Sequence, residues 1–333
     1  MSLKNKKVVL LPLLAVAALV LTSTAPAKAA TSNGLVGFSY PIQANTYLAA
    51  IGGAAEKTLK KSGYTMLGID AQLDGNKQIS DVETMITKKV KAMIIYPLDS
   101  KGLKPSLDKA AAAGIKVITM NYSVDDSTKA PPSPSLAQVQ DAFPQRALAK
   151  ERVAYLKKVL PNGGNVLYVG LAFPVAALEK HAALFKEELG SATKFKYLGR
   201  VDNPSDNSEG GRTATEQALV KYPNVDAIVA YNDPTALGAY SAVKAAGKAG
   251  KIKIIGLQMQ PEAVTSIKNN EINGSWDYNP VQSGVNLANL TISILKDRPK
   301  ASWNKTIQTK ADFYDNTTIA QFKPWADRLA AIK

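Results

Sequence analysis

Two stretches of this chain can be laid one over the other. Ala92-Met93-Ile94-Ile95-Tyr96-Pro97-Leu98-Asp99 leads through a helical run to Ala113-Gly114-Ile115-Lys116-Val117-Ile118, and Ala227-Ile228-Val229-Ala230-Tyr231-Asn232-Asp233 leads likewise to Ala249-Gly250-Lys251-Ile252-Lys253-Ile254-Ile255. Each reads as an apolar strand, a polar turn, a helix and a second apolar strand. A strand covered on both faces needs a continuous apolar run, which is the signature of a parallel sheet with helices on both sides. Its recurrence at 91–120 and 226–257 predicts an α/β protein of two similar doubly wound lobes.

Working outward, strand-like runs at 34–38, 64–69, 165–169 and 194–198 alternate with helical stretches at 44–61, 76–88, 147–160 and 234–246, rich in Ala, Leu, Lys and Glu. Crossovers between parallel strands are expected to be right-handed. The pattern breaks at 123–134, where Asp, Ser, Thr and Pro cluster, and this segment is expected to be a lobe boundary or hinge. Near the end, Phe322, Trp325, Leu329 and Ile332 are spaced for one apolar helix face, so 313–333 is expected to be a tail helix packed on a lobe.

The opening residues carry Lys4, Lys6 and Lys7, then an apolar run at 8–21 and small residues at Ala25, Ala27, Ala29 and Ala30. That is the pattern of a signal peptide cut after residue 29, and the run is short for a membrane span. The expected location is therefore periplasmic or otherwise extracytoplasmic. Cysteine is absent, which excludes disulfides, thiolate metal sites and a lipid-bearing cysteine. The formal charge of +14 belongs to lysines scattered over helix faces rather than interleaved with aromatics, so no nucleic-acid partner is expected.

Open parallel sheets bind ligands beyond the carboxyl ends of their strands. Two such lobes facing one another place both sets of strand-end loops on one cleft. Candidate ligand-binding residues are Tyr40, Asn45, Tyr47, Tyr96, Asn121 and Tyr122 from the first half, and Phe173, Glu179, Asp206, Asn232, Gln258, Asp277 and Tyr278 from the second. Their chemistry suits a polyhydroxylated guest. The amides both donate and accept, the carboxylates accept, and the rings cover an apolar sugar face. Asn45, Asn232 and the pair Asp99-Ser100 also sit where helix caps are needed, and capping is their alternative use.

The segments Gly37-Phe38-Ser39-Tyr40-Pro41-Ile42-Gln43-Ala44-Asn45, Asp70-Ala71-Gln72, Lys77-Gln78-Ile79-Ser80-Asp81-Val82-Glu83, Pro97-Leu98-Asp99-Ser100 and Asn232-Asp233-Pro234-Thr235-Ala236-Leu237-Gly238-Ala239 carry a family likeness. In them the chain resembles the type I periplasmic sugar-binding proteins of the ribose-binding type, over nearly its whole length. The resemblance implies a Rossmann-like pair of lobes joined by three hinge crossings, with 30–125 and 279–312 in the first lobe and 126–278 in the second. It implies hinge closure around a monosaccharide, polyol or amino sugar, and delivery by a monomeric receptor to the permease of an ABC importer. A receptor for a non-sugar solute, such as an amine or signalling molecule feeding a transporter or chemoreceptor, is the alternative. The chain departs from ribose binders where it places Asn121-Tyr122, Glu179 and Gln258 in lieu of the family's Asp-Arg pair, arginine and aspartate. Ribose is disfavoured, and a more negative pocket is expected.

No enzyme is expected, and no cofactor or metal. His181 is the single histidine, expected on a helix surface, and no nucleophile elbow, Walker or dinucleotide pattern follows a strand. A sugar-responsive repressor would need a DNA-reading helix pair where this chain carries the leader pattern.

Overall fold

Buried apolar strands, each flanked by helices, set the architecture. A computed structural model describes residues 32–122, 130–140, 145–296 and 303–332. The leader expected at 1–29 and the acidic pair Asp125-Asp126 lie outside the described residues. In chain order the first half runs β1 (Gly34–Tyr40), α1 (Thr46–Lys61), β2 (Tyr64–Asp70), α2 (Gly75–Thr87), β3 (Ala92–Ile95), α3 (Ser100–Ala112), β4 (Lys116–Met120) and β5 (Ala137–Gln140). The second runs α4 (Gln145–Val159), β6 (Gly164–Leu171), α5 (Ala176–Gly190), β7 (Phe195–Asn203), α6 (Ser208–Lys221), β8 (Ala227–Ala230), α7 (Asp233–Ala245), β9 (Lys253–Ile255), α8 (Pro261–Lys268) and β10 (Gly274–Asp277). Then follow α9 (Pro280–Leu295), β11 (Lys305–Gln308), β12 (Asp312–Asp315) and α10 (Trp325–Ala330).

Two six-stranded sheets result, ordered β11-β5-β4-β3-β1-β2 and β12-β10-β9-β8-β6-β7. The first is parallel throughout, and the second is parallel except where β12 runs against β10. Both are doubly wound, with the sequence order reversing between β1 and β3 in one and between β6 and β8 in the other. The two superposable sequence stretches become β3-α3-β4 and β8-α7-β9, which occupy the same places in their sheets. Every residue of β3 and of β8 is buried, as their unbroken apolar runs require.

The lobe division differs from the sequence reading. The first sheet continues past residue 125, because Ala137, Gln138 and Val139 pair with Ile118, Thr119 and Met120. Four residues with alternating glutamines carry too little apolar signal to read as a strand. The described part of the 123–134 break, residues 130–134, therefore leads to another strand of the same lobe. The tail also begins differently. Asp312–Asp315 is a strand on the second sheet, and Pro324 holds the final helix to six residues starting at Trp325. The chain passes between the sheets after β5, returns after β10, and passes again between β11 and β12. Helix α9 packs on α1, where Gly284 lies so close to the Ile51 carbonyl and Ala54 that a side chain there would collide.

The last helix is tied to the second of these passages. Asp277, at the end of β10, is 3 % exposed and receives Arg328 Nη1 at 2.6 Å and Trp325 Nε1 at 3.2 Å. Tyr47 of α1 meets Tyr278 and Trp325 edge-on, with ring centroids 6.4 and 6.1 Å apart. Lys57 of α1 reaches the Leu329 carbonyl at 3.0 Å. Trp276 is core, packed against Phe313 and Tyr155. His181 is not a surface residue. It is a buried residue of α5 itself, and burial, then the neighbouring Arg152, pushes its pKa down to about 3. A neutral imidazole is compatible with an apolar setting, which the sequence could not distinguish from a wet helix face.

Candidate functional site

The loops at the carboxyl ends of seven strands, β1, β2, β3, β6, β7, β8 and β9, converge on one cavity. From the first lobe it is lined by Pro41, Ile42, Asn45, Leu48, Leu73 and Tyr96, and from the second by Leu171, Val175, Leu178, Asp206, Tyr231, Asn232 and Gln258. Its volume is about 50 Å³, well below the roughly 300–1,000 Å³ of a typical ligand site. The lobes have to part for a sugar-sized molecule to enter.

Backbone conformation at the strand ends is unusual, as at many binding sites. Gln72, Leu73, Asn121, Asp206, Gln258 and Met259 all have positive φ, from 51° at Asp206 to 97° at Gln258. Tight packing beneath the loops fixes where they point. Gly211 of α6 and Gly238 of α7 let those helices touch backbone to backbone, and any Cβ at Gly238 would strike the Ser208 carbonyl and Arg212 nitrogen. This contact brings Asp206, just before α6, beside Asn232, the cap of α7.

Asp206 is the centre of the polar cluster. Its Oδ1 accepts from Asn232 Nδ2 at 2.7 Å and from the Tyr231 hydroxyl, and its Oδ2 accepts from Asn45 Nδ2 at 3.0 Å across the cleft. Burial nevertheless pushes its pKa above the ordinary carboxylate value, with these donors opposing the rise. Burial and the adjacent Asp206 hold the Tyr231 hydroxyl firmly protonated. A second bond across the cleft joins Thr46 Oγ1 to Gln260 Oε1 at 2.5 Å.

The two asparagines perform both roles considered from sequence. Asn45 Oδ1 caps α1 by accepting from the Tyr47 nitrogen at 3.0 Å, while its Nδ2 spans the cleft. Asn232 Oδ1 accepts from the Thr235 nitrogen at 3.0 Å, while its Nδ2 holds Asp206. Gln258 Oε1 accepts from Gln260 Nε2, and Tyr96 presents its ring with its hydroxyl accepting from Asn121 Nδ2 at 3.0 Å. Asn121 thus stands one bond behind the lining.

The remaining candidates lie outside that lining. Tyr40 is buried under α1, its hydroxyl occupying the space where Gly52 lacks a Cβ. Tyr47 and Tyr278 pack together beside Trp325. Tyr122 belongs to the outer core of the first lobe with Leu103 and Leu107, and Phe173 packs on the core of the second. Glu179 is bound by both terminal nitrogens of Arg200, at 2.7 and 2.8 Å. Asp277 is held by Arg328, which opposes the rise that burial imposes on its pKa. With Glu179 and Asp277 each matched to an arginine, Asp206 is the single charged residue in the lining among the described residues, so the expected excess of negative charge is reduced there to one group. Asp99 and Asp233 take structural parts. Asp99 caps α3. Asp233, fully buried, receives Ser275 Oγ and the Gln260 nitrogen, each at 2.7 Å, and Gly256 leaves room for its carboxyl. Burial pushes Asp233 up to about 7.

Tyr231 falls in the strand-end segment 231–233 that the sequence places on the cleft, though not among the candidate contacts, and its position directly after the buried strand β8 is the signal that marks it. The apolar lining residues are not among those candidate contacts. Leu48, Leu73, Leu171, Val175 and Leu178 carry no such signal, because a leucine facing a cleft and one facing a core read alike.

Comparison with known proteins places these features in a family. The sequence profile of the periplasmic binding protein domain matches residues 36–299. Among curated proteins, the ribose import binding protein of Bacillus subtilis is 28% identical over 251 residues, covering 74% of this chain and 76% of its own length. The D-ribose/D-allose-binding protein of Pseudomonas aeruginosa is 32% identical over 195 residues, 57% of this chain and 58% of that one. Of solved structures, the Caulobacter myo-inositol binding protein bound to myo-inositol aligns with a TM-score of 0.77 at 21% identity, covering 91% of this chain and 99% of that one. A solute-binding protein from Burkholderia graminis in complex with D-arabinose aligns at 0.79 and 16% identity, over 88% and 99%. The structural likenesses establish the type I periplasmic binding protein fold.

Proposed function

Because this chain belongs to the periplasmic binding protein domain family, we propose that it is the exported solute receptor of an ABC importer, capturing a neutral monosaccharide or polyol by closing its lobes. The observation that carries the reading is the position of Asp206. It lies in the loop after β7, beside Asn232 at the end of β8, with donors from its own lobe on one oxygen and a donor from the opposite lobe on the other. A guest hydroxyl entering there finds an acceptor poised between two moving bodies, so binding and closure are coupled.

Three facts support this reading. The curated relatives named above are sugar-binding proteins by their names. The lining offers amides, one carboxylate and tyrosine rings, a set that recognises hydroxyls. The matching of Glu179 and Asp277 to arginines removes the negative excess that would have favoured an amino sugar. The passages between the sheets act in this proposal as the hinge, and the closed lobe surfaces as what the permease reads.

The test is a thermal-shift screen of the purified protein against pentoses, hexoses, polyols, inositols and amino sugars. A ligand at one hundred times its Kd adds about 2.7 kcal/mol of stability. A shift that disappears in Asp206→Ala supports the reading; a panel without a single shift rejects it.

A further inference from the structure

The wall of the cavity is more apolar than a fully hydroxylated sugar requires. Ile42, Leu48 and Leu73 from one lobe face Leu171, Val175 and Leu178 from the other. The polar lining is largely engaged by the protein itself. Asp206 already holds three donors, both asparagine oxygens cap helices, and the hydroxyls of Tyr96 and Tyr231 are bonded to Asn121 and Asp206. A hexose would bring a hydroxyl on nearly every carbon into this space. Each one turned toward the leucines would give up water without a replacement, which is unfavourable.

Resting on the receptor reading above, we propose that the ligand is a deoxy sugar or deoxypolyol, with hydroxyls along one edge and a methyl or methylene group on the other. The hydroxyl edge faces Asp206, Asn232 and Gln258, where one carboxylate and two amides are grouped. The hydrocarbon edge lies on the leucines. Leu178, in the first turn of α5 and only partly buried, and Leu73, held in a left-handed conformation at φ 61°, approach from opposite lobes. Closure thus brings the apolar wall together from both sides.

The experiment is titration calorimetry of the purified protein with matched pairs differing by one hydroxyl: L-rhamnose and L-mannose, D-fucose and D-galactose, 2-deoxy-D-ribose and D-ribose, 1,2-propanediol and glycerol. In the pair that binds, the deoxy member is expected to be tighter by roughly tenfold or more, the penalty for one unpaired hydroxyl. Leu178→Asn is expected to narrow that ratio by supplying a partner. Equal affinity within every binding pair, or preference for the hydroxylated member, overturns the inference and leaves the sugar-receptor reading intact. An unchanged ratio in Leu178→Asn overturns the role given to the apolar wall. Absence of heat with all eight compounds, together with a silent thermal-shift panel, overturns both readings.

Discussion

Asn45 Nδ2 in the first lobe lies 3.0 Å from Asp206 Oδ2 in the second, while Asn45 Oδ1 caps the helix that follows. One side chain thereby links local helix order to the closed arrangement. Asn45→Ser keeps a capping oxygen but is too short to cross the cleft, whereas Asn45→Ala loses both functions. Asn45→Ala should cost about 1 kcal/mol of stability through the cap, and Asn45→Ser much less. Both should raise the ligand-free radius of gyration in solution scattering. An unchanged radius in both would show that this bond does not hold the lobes together.

Replacing Asp206 by Ala leaves the Tyr231 hydroxyl and the Asn232 and Asn45 amides facing an empty place. Each buried donor without an acceptor costs about 1–3 kcal/mol, and the cost falls mainly on the closed form. Affinity for whichever ligand emerges from the screen should drop by tenfold or more. Calorimetry measures this directly, and retention of wild-type affinity would remove Asp206 from the site.

Two buried groups should give opposing pH dependences. Asp233, raised from 3.8 to about 7, keeps its proton in the folded protein where the unfolded chain has lost it. Its contribution is complete below pH 3.8 and declines as the pH rises toward 7. His181, lowered from 6.5 to about 3, stays neutral in the folded protein where the unfolded chain gains a proton. Its contribution is complete above 6.5 and declines as the pH falls toward 3. Asp233→Asn should therefore steepen the loss of thermal stability on acidification, and His181→Gln should steepen the loss on going from pH 4 to 7. Melting profiles parallel to wild type in both variants would contradict these protonation states. Asn at 233 suits the site, because its amide can donate to Ser275 Oγ while its oxygen accepts from the Gln260 nitrogen.

Arg328→Ala strands the Asp277 carboxylate, which is 3 % exposed. Removing one partner of a buried pair costs about 3 kcal/mol, placed at the lower end of its range because Arg328 itself keeps 15 % exposure. Urea unfolding should show the loss, and Asp277→Asn combined with Arg328→Ala should recover part of it. Equal stability of the single and double variants would mean that the ion pair, rather than the stranded charge, sets the cost.

The long buried strands and the repeated strand-turn-helix-strand unit were legible because burial on both faces imposes continuous apolar runs. Residues β5 and β10 to β12 were not: at four residues each, with Gln138, Gln140, Ser275 or Asp312 among them, they carry pairing partners rather than a hydrophobic signal. Asn45, Asp206, Asn232, Gln258 and Tyr96 could be picked because each directly follows or closely trails a strand end in the first or second sheet. Glu179 and Asp277 share those coordinates along the chain, yet their arginines, 200 and 328, approach from elements that are distant in sequence. Sequence position locates a loop tip; only tertiary packing decides whether its side chain faces the gap or a neighbouring ion.

The closing helix, clasped through Arg328 and Trp325 to Asp277, sits against the return from the second sheet, which the receptor reading makes a fulcrum. On that reading, a bulky reporter attached to this helix would press on the pivot rather than ride passively on a lobe. Biosensor designs built on this scaffold are better served by inserting the fluorophore at an exposed turn such as 247–250, remote from that clasp.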